Sequence, residues 1–134
     1  MSGEIKQPFT TLQRLGLIMG SLFVLGGILA FVPGVTKDGM YFGVFMVNTP
    51  HNIMHIISGA VFLIACMIGS KATRVWFLLF GTIYAALAGI GLSVGDGLIF
   101  GLIMNSLFDS WGHAGLALIM LMIGFNGRRL APPA

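Results

Sequence analysis

Phe42-Gly43-Val44-Phe45-Met46-Val47-Asn48-Thr49-Pro50-His51-Asn52-Ile53-Met54-His55 returns, degraded but recognisable, between Phe100 and His113. At one constant offset Phe42 falls on Phe100, Gly43 on Gly101, Met46 on Met104, His51 on Asp109 and His55 on His113. All three histidines of the chain and one of its four acidic residues therefore stand at matching places near the start of two apolar segments. Chemistry, if the chain has any, is expected there.

Working outward, composition sets the class. Of 134 residues 57% are apolar by type and 8% charged, with a mean hydropathy of +0.98. So few charges cannot cover the surface of a soluble domain this size, and the lipid bilayer is the expected surrounding. The net charge of +3 does not signal nucleic acid, because the seven Lys and Arg form no stripe and membrane topology explains where they fall. Cys66 has no partner cysteine, which excludes a disulfide framework and a Cys-type zinc site.

Hydropathy then places four spans at about 12–32, 50–69, 75–94 and 106–125, each near the ~20 residues that a ~30 Å hydrocarbon layer needs. The first is too long for a signal core and ends in Pro33-Gly34 without a cleavage site, so it reads as a retained span. Its Gly16, Gly20, Gly26 and Gly27 suit close packing against a neighbouring helix. Thr49 is the expected cap of the second span, with Pro50 in its first turn. Lys71 and Arg74 are expected in a tight turn between the second and third spans. The connections 35–49 and 95–105 each carry an apolar half, too short to span, that should fold back on the bundle or lie in the interface. Lys6, Arg14, Lys71, Arg74, Arg128 and Arg129 fall on one side and Lys37 on the other. By the positive-inside bias both termini are then cytoplasmic.

Gly20-Ser21-Leu22-Phe23 also lies over Gly81-Thr82-Ile83-Tyr84, at a slightly larger offset. The expected architecture is thus one all-α domain over 1–134, a polytopic membrane four-helix bundle built from two tandem parallel repeats, about 12–70 and 75–127. His51 with His55, and Asp109 with His113, share helix faces at i, i+4, and a repeat axis between the two helices would make those faces converge. His55, His113 and Asp109 come out roughly 7, 10 and 5 Å below the outer boundary.

Three uses of this cluster are open from sequence. It can be a polar clamp in which Asn48, Asn52, Asn105 and Ser110 take part through caps and hydrogen bonds. It can hold a transition metal on His51, His55, Asp109 and His113, with Met46 and Met104 as softer ligands, or hold haem through His55 and His113. It can also relay protons or serve a metal-dependent enzyme. No phosphate loop or nucleophile elbow is present. A transporter ranks below these, because the middle of the spans carries no charge.

The run Gly43-x-Phe45-x-Val47-Asn48, then His51-Asn52-x-x-His55, then Asn105, Asp109 and His113 resembles the domain-of-unknown-function family numbered 4383. That resemblance covers nearly the whole chain and implies a small bacterial membrane protein with four spans. It implies no activity. Taken with the residues, it favours a non-catalytic accessory or scaffold subunit, partnered by other membrane subunits or by itself.

Overall fold

Thr10 starts the first helix, α1 (Thr11–Leu29), with a reciprocal cap. Its hydroxyl accepts the Gln13 N–H at 3.2 Å, and Gln13 Oε1 accepts the Thr10 N–H at 3.0 Å, which satisfies donors that a helix start otherwise leaves unpaired. The structure, a computed structural model, describes residues 7–132. The lead-in through Lys6 and the final Pro133-Ala134 lie outside the described residues.

The second helix, α2 (Thr49–Ile68), corrects the expected cap. Asn48, in an extended conformation, is the capping residue, and its Oδ1 accepts the His51 N–H at 3.1 Å. Thr49 is already helical, because the Asn48 carbonyl accepts the first intrahelical bond, from the Asn52 N–H at 3.0 Å. α1 and α2 lie backbone to backbone: a Cβ on Gly20 would sit 2.9 Å from the Gly59 carbonyl oxygen, and one on Gly59 would sit 2.7 Å from the Val24 nitrogen. Only hydrogen fits at that crossing. Gly26, expected on the same packing face, is different, since a Cβ there meets nothing within 4 Å.

Gly69 alone joins α2 to α3 (Ser70–Val94), at φ 147° and ψ 176°. The expected basic turn is therefore helical, with Lys71 and Arg74 inside the first turns of α3. Glycine makes this possible, because few residues with a Cβ tolerate that backbone angle. The fourth long helix, α4 (Leu107–Phe125), opens on a Ser106–Asp109 capping box and is followed by the short α5 (Gly127–Leu130).

Both connections depart from a purely helical fold. β1 (Thr36–Lys37), β2 (Met40–Tyr41) and β3 (Phe45–Met46) form an antiparallel meander with Met40 opposite Met46. β4 (Gly97–Ile99) and β5 (Ile103–Asn105) form a hairpin with Leu98 opposite Met104. These strands pair backbone groups that would be costly to leave bare beside lipid. The hairpin turns use left-handed residues in pairs: Phe42 and Gly43 at φ 49° and 71°, Phe100 and Gly101 at 52° and 66°. β3 lies against α4 and β5 against α2, so each connection folds over the end of the bundle.

Among the described residues four helices are long and apolar enough to cross a membrane. Their outward faces carry exposed Leu22, Leu25, Ile57, Ile64, Leu79, Leu118 and Met122, a surface suited to lipid and not to water. The chain is an integral membrane protein, mostly helical. Inside, fully buried Phe62, Phe77 and Tyr84 pack with Phe23 and Phe80, the rings of Phe62 and Phe77 meeting edge to face at 4.9 Å. α1 packs chiefly on α2 and α3 chiefly on α4, and all four helices contribute side chains to the shared core. The Thr10 and Ser70 hydroxyls meet at 2.8 Å, and Arg74 Nε donates to the Gly124 carbonyl at 3.0 Å. Those bonds gather the start of α1, the α2–α3 junction and the end of α4 at one end of the bundle. The histidines lie toward the other.

Candidate functional site

Asn48 builds the first wall. Besides capping α2, its Oδ1 accepts the Met104 N–H at 3.2 Å and its Nδ2 donates to the Leu102 carbonyl at 2.9 Å. One amide thus fastens the β4–β5 hairpin to the start of α2. That places the Met104 carbonyl oxygen 2.8 Å from His51 Nδ1. A carbonyl only accepts, so Nδ1 carries the hydrogen, and in the neutral ring Nε2 keeps its lone pair. Nε2 of His51 lies 3.2 Å from Nε2 of His55.

Asp109 builds the opposite wall. Its Oδ2 accepts the Ser106 N–H at 2.9 Å, the Ser106 hydroxyl, and the Met46 N–H at 3.0 Å. The same carboxylate caps α4 and fastens β3 to it. One turn on, His113 reaches inward: its ring centroid is 5.7 Å from that of His51 and 6.0 Å from that of His55. Its Nδ1 is buried without a hydrogen-bond partner among the described residues. One ligand atom from each of the three imidazoles can be chosen so that all lie within 4.8 Å of one another.

Aromatic rings collar the cluster. Phe23 stacks on His55 at 5.2 Å, and Tyr84 presents an edge-to-face contact to His113 at 5.0 Å. His51 and His113 are buried and His55 is half-buried. Beside them is a cavity of about 310 Å³, walled by α1 through Phe23 and Gly26, by α2 through His51, Asn52 and His55, and by α4 through Asp109, Gly112 and His113. Tyr41, Phe45 and Val47 of the meander roof it.

The other residues singled out from sequence fall elsewhere. Asn105 Nδ2 donates to the carbonyls of Gly91 and Gly95 at 3.2 and 2.9 Å, and its Oδ1 accepts the Ser110 hydroxyl at 3.0 Å. This is a separate knot between α3 and α4. Met46 and Met104 meet the site through backbone groups, and neither lines the cavity. Sequence reading missed the apolar walls, Gly26 and Gly112 above all. A glycine at Gly26, where the loose match of the first and third spans puts Leu87, was the available signal.

A family model described as Domain of unknown function (DUF4383) matches residues 13–126. No curated protein and no solved structure matches the chain.

Proposed function

The chain belongs to the family described as Domain of unknown function (DUF4383), and we propose that it is a membrane accessory or scaffold subunit that holds a transition-metal ion on His51, His55 and His113. One observation carries this. The His51 Nδ1–H bond to a backbone carbonyl turns Nε2 toward His55 Nε2, 3.2 Å away. Metal-binding histidines characteristically hold their other nitrogen in this manner. Two nitrogens each about 2.0–2.1 Å from a tetrahedral zinc-like ion stand about 3.3 Å apart. A clamp of hydrogen bonds accounts for the His51–His55 pair but gives His113 Nδ1 no partner among the described residues; a shared cation gives one to every ring once ligand atoms lying within 4.8 Å of one another close to about 3.3 Å.

Haem fits the surroundings less well. A porphyrin between His55 and His113 needs a flat slot, and the rings of His51 and Tyr84 stand 5.7 and 5.0 Å from His113 in the same space. Asp109 lines the same cavity, its Oδ2 held by three donors. That engagement supports binding over catalysis. A metal-dependent enzyme would want a free general base, and no other Asp or Glu lines the cavity among the described residues.

The two-repeat reading has support of its own. Met46 bonds to Asp109, and the positions one repeat away from these, Met104 and His51, bond to each other. An axis along the membrane normal would exchange these two contacts. Arg14, Lys71, Arg74, Arg128 and Arg129 share the end away from the histidines, which favours cytoplasmic termini in a bacterial plasma membrane.

Metal analysis of the purified full chain, after exposure to zinc or cobalt and desalting, tests the proposal. Retention of one ion per chain, lost in His55→Ala and in His113→Ala, is expected. A folded wild-type chain that retains none contradicts it.

A further inference from the structure

Three imidazoles leave a tetrahedral ion one position short, and what can fill it depends on the cavity. Apart from the imidazoles, Tyr41, Asn52 and Asp109, its walls are apolar. The cavity lies between α1 and α4, and its lining includes Leu22, which is 62% exposed on the lipid-facing surface. A path from hydrocarbon excludes charged molecules and admits neutral ones.

The wall that α1 gives this space differs from its counterpart in the second half of the chain. A Cβ on Gly26 meets nothing within 4 Å, and one on Gly112 only a Phe45 ring atom at 3.8 Å. In the register that lays Gly20–Phe23 over Gly81–Tyr84, Gly26 corresponds to Leu87, whose side chain packs against the hydrophobic core. The cavity stands where one half carries hydrogen and the other an isobutyl group.

We propose that this cavity binds a neutral, lipid-dissolved alcohol or phenol that enters between α1 and α4 and sets its oxygen on the metal's fourth position. This rests on the three-histidine metal site proposed above. A single oxygen suits the ligand because the open metal position takes one donor atom and most of the lining is apolar. An apolar body fills the remainder, and about 310 Å³ accommodates roughly ten non-hydrogen atoms at ordinary packing.

The test uses the full chain in detergent, loaded with cobalt(II), whose visible bands report its coordination. Naphthol is the probe, and naphthalene, which lacks the oxygen, is the control. Naphthol is expected to shift the cobalt bands saturably, and naphthalene to leave them in place. Gly26→Leu should keep the cobalt spectrum of the unliganded protein and bind naphthol about tenfold more weakly or worse, since it fills the space the ring needs. A cobalt-loaded wild type whose bands ignore naphthol overturns this inference and leaves the metal site standing. So does a Gly26→Leu chain that responds as the wild type does. A chain that takes up no cobalt ends both.

Discussion

Two polar groups of side chains sit toward the same end of this bundle, and they are built to opposite rules. In the Asn105 knot each polar atom of the amide is engaged, by Gly91, Gly95 and Ser110, and Gly91 leaves no room for even a methyl group against them. In the histidine cluster a buried imidazole nitrogen has no partner among the described residues, two others face each other at 3.2 Å, and a cavity lies alongside. A satisfied and filled polar group fixes helices. One left unsatisfied beside empty space costs stability unless something else is meant to occupy it.

Substitutions separate the two. The largest effect on folding is expected from Gly91→Ala, whose new carbon collides with Ser110 Oγ and lies 2.8 Å from Asn105 Oδ1. A loss of about 3 kcal/mol follows from overpacking and broken bonds together, read as a lower melting temperature in detergent. Asn105→Ala strips partners from two carbonyls and a hydroxyl and should cost about 2 kcal/mol. Neither change should alter the metal bound per folded chain. Equal metal loss and unfolding in both would erase the distinction.

Asn48→Ala tests the border between the groups. It removes a helix cap, worth about 1 kcal/mol, and frees the hairpin that aims the Met104 carbonyl at His51. Metal affinity should fall about 10–100-fold, as for other residues that orient a ligand, and competition with a chelator measures it. The smallest effect on stability belongs to His113→Leu. It exchanges an unpartnered buried nitrogen for hydrocarbon, so the metal-free chain should melt within about 1 kcal/mol of wild type while losing its ion. A His113→Leu chain as destabilised as Asn105→Ala would mean that the imidazoles are a clamp.

Much of this architecture was legible in the residues. Long apolar runs interrupted at Pro33-Gly34 and Gly95-Asp96-Gly97 announced the helices, and Gly43 to His55 carried the family. The i, i+4 spacing put His51 and His55 on one face, and only the repeat register brought His113 into view. The strands were not legible, because two or three residues are too few to display an alternating pattern. Asn105 and Ser110 stood beside Asp109 in sequence but turn toward α3, a choice of face that depends on what each helix packs against. Gly26 looked like Gly20, and only the position of its neighbours reveals that one glycine is a crossing and the other a void.

X-ray absorption at the zinc edge of the loaded protein decides whether the imidazoles hold the ion. Three imidazole nitrogens at about 2.0–2.1 Å, with a fourth light-atom ligand, are the predicted shell. A shell of oxygens without imidazole scattering, or one unchanged by His55→Ala, would contradict it.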